Sequence, residues 1–213
     1  SYTTSLDVTA TYRCFIGPCP SPAPQMQFLL APRESRAFDD IVAMPAGFNA
    51  PDTGGGIEFE SSGSPGQLVV TSRLYSTEPL NSVGMFIPAL PASRAYANSI
   101  LTSIRHDAPN SLVAGFRTNV GLFNLGDSSA VATLLTFDFD GAAIGSPLTR
   151  TVPPHSGLQI SGVFEAAGAS DLTTSNATIV VNASAPLFTY AAVIDGRTAD
   201  PIFVVGANND SGT

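Results

Sequence analysis

The reading of this chain turns on residues 116–145, FRTNVGLFNLGDSSAVATLLTFDFDGAAIG. Val120, Leu122 and Asn124 share one face of an extended segment; Asn119, Gly121, Phe123 and Leu125 share the other. Period-two alternation is the mark of a strand half buried in a sheet. Gly126-Asp127-Ser128-Ser129 then turns the chain. Val131, Thr133, Leu135, Phe137 and Phe139 alternate with Ala132, Leu134, Thr136 and Asp138 in a second strand. Asp140-Gly141 ends it with a hairpin signal, because a primed turn needs φ > 0 and glycine supplies it. The stretch predicts antiparallel β-sheet.

The same alternation extends outward. Leu6, Val8, Ala10 and Tyr12 oppose Ser5, Asp7, Thr9 and Thr11, which predicts a strand over 2–12. Further strands are expected over 25–31, 57–61, 67–76, 84–89 and 99–105, with a short extended piece over 36–41. Helix is expected only as short turns, over 41–46 with Asp39 or Asp40 as cap and over 162–168.

A repeat joins these pieces. Residues 151–168 follow the pattern of 30–47, 176–184 that of 55–63, 185–198 that of 65–78, and 201–207 that of 85–91. The four matches keep one order and a spacing of about 120 residues, which reads as an internal duplication. Thr11-Tyr12-Arg13 then corresponds to the Phe137-Asp138-Phe139 region. Two tandem antiparallel β-sandwich domains are expected, 1–94 and 95–213, parted where PASRAYAN breaks the strand pattern. Nothing in the first half matches residues 97–125, so the first domain is expected to lack the leading strands of the second.

Composition narrows the class. Only 12% of the 213 residues are charged, against roughly 25% in an average soluble protein. The net charge of −8 argues against nucleic acid and anionic lipid as partners. All nine basic residues are Arg, so lysine chemistry, including isopeptide cross-links and Schiff bases, is excluded. No apolar run approaches the roughly 18 residues of a membrane span. Cys14 and Cys19 flank Phe-Ile-Gly-Pro in a loop with four prolines. The spacing predicts a small disulfide loop worth on the order of 2 kcal/mol, two free thiols being the other reading.

At Arg117-Thr118-Asn119-Val120-Gly121-Leu122-Phe123-Asn124 and at Tyr190-Ala191-Ala192-Val193-Ile194-Asp195-Gly196-Arg197-Thr198-Ala199-Asp200-Pro201, the sequence resembles the immunoglobulin-like β-sandwich repeats of large secreted bacterial proteins. The likeness covers most of 113–206 and, more faintly, 25–90. It implies an all-β fold of two tandem immunoglobulin-like domains, and a role as spacer, adhesive unit or structural unit. It implies no activity.

Candidate chemistry is sparse. His106 with Asp107 and a serine could be drawn as a hydrolase triad, yet no Gly-x-Ser-x-Gly elbow is present. His106 is expected in a linker loop and His155 in a turn. Asp138 and Asp140 straddle a hairpin without the further ligands of a calcium loop, and turn duties account for them. Asn119 is expected to satisfy backbone groups and Arg117 to pair with a carboxylate, with a sugar site as the alternative. Asp195-Gly196-Arg197 reads as a tight turn. Asn176, Asn182 and Asn209 begin glycosylation sequons.

No catalytic residue, cofactor or metal site is therefore expected. The expectation is an extracellular or cell-surface bacterial protein of structural or adhesive kind, a pilus-like filament subunit whose partners are copies of itself or adjoining modules. The alternatives are a monomeric spacer or a carbohydrate-binding accessory module, the latter weakened by the absence of Trp for stacking on sugar rings. The missing strands leave an edge in the first domain that something must cover. A strand over 99–105 folding back is one candidate. The other is exchange between copies, with Leu6, Val8, Ala10 and Tyr12 on the donated strand.

Overall fold

The computed structural model describes residues 3–75, 83–108 and 114–210. The expected open start of the first sheet at residue 1, the far end of the 67–76 strand, the loop residues Pro109 and Asn110, and Ser211 of the Asn209 sequon lie outside them. The chain is almost wholly β and its strands pair antiparallel. It divides into two compact units, 1–70 and 71–213.

The first unit is one three-stranded sheet. The strands β1 (Leu6–Ile16), β2 (Gln25–Leu30) and β3 (Gly54–Ser61) stand in the order β2-β1-β3. Val8, Ala10 and Tyr12 are buried, as their alternation predicts. The turns over 39–50 cover one face, and Phe48 stacks on the Tyr12 ring at 5.3 Å between centroids. Ile57 and Phe59 of β3 pack partly against this small core. Helix fails over 41–46. Asp40 caps a single turn by accepting from the Ala43 N–H at 3.0 Å, and Pro45 and Gly47 then stop it. Cys14 and Cys19 are bonded to each other, closing the connection that follows β1. Gly55 sits where a Cβ would run into the Arg13 carbonyl across the strand pair, so glycine is required there.

The second unit begins with a ribbon of β4 (Thr71–Tyr75) and β5 (Gly84–Pro88). Then come β6 (Tyr96–His106), β7 (Phe116–Asn124), β8 (Ala130–Phe137), β9 (Ala143–Val152), β10 (Ser156–Ile160), a helical turn α1 (Val163–Ala166), β11 (Thr174–Asp195), β12 (Pro201–Val205) and β13 (Ala207–Asn208). The 22-residue β11 belongs to two sheets. Its first half lies between β8 and β6, its second half between β7 and β12. Pro186, which has no N–H for a ladder, falls where the register breaks between Asn182 and Leu187. Leu101, Ile104, Val120, Leu122, Leu134, Phe164, Ile179 and Leu187 fill one core between these sheets, giving a sandwich-like unit.

The sequence places the change of domain at 94/95, whereas the compact units part at 70/71. The β4–β5 ribbon causes the difference, because β5 lies beside β12. The first unit is correspondingly a single sheet under a loop cover, not the two-sheet sandwich expected over 1–94.

Two sets of ladders share a register. Val8 stands opposite Ser61 and Phe28, while Leu134 stands opposite Val181 and Leu148. Ala10–Phe59 repeats as Thr136–Ile179, and Leu74–Met85 as Ile194–Pro201. With one shift for β1 and another for β2 and β3, both ladders keep register and both keep the same side chains inward. The two shifts differ because the disulfide-closed connection 17–24 replaces the short hairpin 138–142. Thus β1, β2, β3, β4 and β5 correspond to β8, β9, the first half of β11, its second half, and β12.

Leu101 is fully buried in the second core, and Leu101→Ala should cost roughly 2–5 kcal/mol. Chemical denaturation followed by far-UV circular dichroism checks this; a loss under about 1 kcal/mol would contradict the packing described.

Candidate strand-docking edges

The correspondence has two gaps, and they define the candidate site. In the second unit the first half of β11 is flanked by β6, with Ala177 opposite Ile104 and Ile179 opposite Leu101. Its second half is flanked by β7, with Ala191 opposite Val120. Among the described residues β3 forms a ladder with β1 alone, and β4 with β5 alone.

Burial tracks the missing partner. Ala177 and Ile179 are 0% exposed beside β6, whereas their register equivalents Ile57 and Phe59 are only half buried. All of β4 is exposed, Leu74 at 59%. On the face of β3 away from the core, Arg13 holds Glu58 at 2.7 Å, and Glu60 projects exposed. The β3 edge is therefore apolar on its core side and acidic on the other.

The segment expected to donate a strand does not sit at an edge. Leu6, Val8, Ala10 and Tyr12 lie on β1, the central strand of its sheet, paired on both sides. Donation of this segment would break two ladders and empty the first core. The 99–105 strand is equally engaged, since β6 pairs with β11 and β13 in the second unit. Neither candidate covers β3.

The polar residues singled out by sequence have structural duties. His106 ends β6 instead of lying in a linker. It is buried, its ring stacked on Phe164, with Nε2 3.2 Å from the Ser170 carbonyl oxygen. Glu165 Oε1 stands 3.9 Å from its Nδ1. Asp107 accepts from Arg105 and from the Phe116 N–H. His155 lies 2.8 Å from Asp127 on the surface. Asp138 accepts from the Phe139 N–H and the Thr174 hydroxyl, and Asp140 from the Ala142 N–H, so both brace the hairpin. Among the described residues no three His, Cys, Asp or Glu side chains cluster as a metal site would need. No helix there is long and apolar enough to cross a membrane.

The R-T-N-x-G-L-x-N strand is a bracing element. Asn119 Oδ1 accepts from the Gly162 N–H at 3.0 Å; Arg117 bonds this same oxygen at 3.4 Å, where a carboxylate was expected. Asn124, buried, donates to the Ser128 and Val152 carbonyls and accepts from the Gly126 N–H. Gly121 lies under the Tyr190 ring, leaving no room for a Cβ. Burial raises the Tyr190 phenol above its ordinary value. Asp195 accepts from the Arg197 N–H at 2.9 Å, and that bond, with the Arg197 guanidinium, holds its carboxyl below the ordinary value. Asn176 and Asn182 lie exposed on β11.

Sequence reasoning named the missing strands but not the residues left at the edge. Ile57, Phe59 and Thr71 emerge only when each repeat is laid on the other by register.

The sequence matches no protein-family model and no curated protein. Among solved structures the chain is similar to Thermotoga maritima 1070, at 11% identity and TM-score 0.40 over 54% of this chain and 97% of that one. It is also similar to the Anabaena sensory rhodopsin transducer, at 18% identity and TM-score 0.33 over 43% of this chain and 77% of that one. Both likenesses are too slight to carry a fold or a function across.

Two outcomes test the bracing roles. Asn124→Ala leaves buried backbone groups without partners and should cost about 1–3 kcal/mol in denaturant unfolding, with a wild-type-like cost counting against it. The Asp195 carboxyl, depressed in the fold, should titrate by carbon-detected NMR below an unfolded aspartate. Its stabilising share is then present above the unfolded value and lost as pH falls through the folded one. Titration at or above the unfolded value would remove the turn's hold on it.

Proposed function

We propose that this chain is an extracellular structural or adhesive protein of bacterial origin. In this reading it consists of two tandem immunoglobulin-like β-sandwich repeats and serves as a link in an array. The first repeat is completed by a strand from a neighbouring repeat.

The observation that carries this reading is the matched register of the two sets of ladders, together with the edge of β3 that, among the described residues, has no strand where β11 has β6. A half-open sheet exposes backbone that recruits another strand, and natural proteins manage such edges explicitly. Supporting features are the Lys-free, weakly charged composition and the Cys14–Cys19 disulfide, which suits an oxidising compartment. The polar clusters all serve turns and core, which favours structure over catalysis. Tyr12, Phe48 and Phe164 are spent in cores, whereas Tyr75, Phe86 and Phe139 stand exposed, so sugar binding stays as an alternative reading that lacks only Trp.

A filament of identical copies is the second reading. The engagement of β1 and β6 weighs against it, because neither is spare for donation. An adjoining repeat as donor requires no such sacrifice.

Light scattering over a wide concentration range, with negative-stain electron microscopy, separates the two. The array reading expects monodisperse particles from the isolated chain. Regular fibres would restore the filament. Turnover of a substrate by the purified chain would overturn both.

A further inference from the structure

We infer that the outer edge of β3 is an acceptor for one antiparallel strand of the β6 kind, supplied by a neighbouring repeat. This rests on the array reading and assigns its docking residues.

The equivalent edge on β11 shows what the occupant looks like. There β6 brings Leu101 opposite Ile179 and Ile104 opposite Ala177. Both β6 residues are fully buried, and so are their partners. Transferred by register, these positions face Phe59 and Ile57, the two half-buried side chains of β3. An occupant with apolar residues at those two points would remove both from water. One residue beyond Phe59, on the far face, stands Glu60, whose equivalent Val180 faces Ile100. Opposite charges pair favourably across strands and like charges do not. The occupant is therefore an extended segment, apolar toward Ile57 and Phe59 and basic or neutral toward Glu60.

Main-chain hydrogen bonds supply the attraction in such strand addition, and the alternating pockets select the sequence. Half of the amides of an antiparallel strand point to each side. Those of β3 that point away from β1 thus form the docking line.

The test appends a second copy of residues 95–126 ahead of residue 1 of the full chain. This places β6 and β7 ahead of β1, as they stand ahead of β8. Hydrogen exchange measured by mass spectrometry over 54–61 is the readout. The extended chain should exchange its outward β3 amides more slowly, by about tenfold or more. Placing Leu101→Pro and Ile104→Pro in the added copy alone should return the exchange to that of the parent chain.

Unchanged exchange over 54–61, in an extended chain whose second unit keeps its own protection, would overturn the acceptor edge. The array reading would survive that result, since it is judged by particle size and not by this exchange. Protection that persists with both prolines would also overturn the inference. Protection that arises in the parent chain as its concentration rises would assign the edge to a second copy and overturn the neighbouring repeat as its source.

Discussion

Every interior strand of a sheet must find partners on two edges, and in this protein β11 meets that demand four times over. Its first half is held by β8 and β6 and its second by β7 and β12. The break falls at Pro186, where the missing N–H allows one ladder to end and another to begin. Because one strand serves both sheets, the side chains of both inner faces are fixed relative to one another. Leu101, Val120, Leu134 and Ile179 meet in a single core for that reason.

The first repeat applies the same plan with fewer pieces. Its sheet order β2-β1-β3 matches β9-β8-β11 in order, register and facing. Among the described residues, however, β3 has one ladder, and its inward residues stay half in water. The core is correspondingly small, built on Ala10, Tyr12, Phe48 and Ala50. The turns over 39–50 cover it, with Phe48 on Tyr12 as the main contact. The disulfide staples the added connection, a use suited to a domain that buries little.

The polar residues singled out by the sequence serve the structure. Asn119 and Asn124 satisfy backbone groups that no ladder reaches, Asp138 and Asp140 brace a hairpin, and Asp195 holds a turn through Arg197. His106 shows how far position can mislead. Following the expected 99–105 strand and beside Asp107, it reads as a linker residue. In the fold its ring lies on Phe164 and its nitrogen bonds a carbonyl.

Local patterns determined the strands: alternation at 120–124 and 131–137, the Asp140-Gly141 turn, and the spacing of Cys14 and Cys19 were legible residue by residue. The match between the halves was read segment by segment, because each segment carries its own periodicity. Tertiary structure alone decided what the strands do with their edges. Leu6, Val8, Ala10 and Tyr12 have the alternation of a donated strand and of a central one alike, since period two fixes the faces of a strand and says nothing of its hydrogen-bonding sides. The extent of β11 was hidden for a related reason. Ser184-Ala185-Pro186 reads as a break, and only the presence of β6, β7, β8 and β12 on its flanks makes it one continuous strand. Edge and centre are properties of neighbours, and neighbours distant in sequence are chosen by packing.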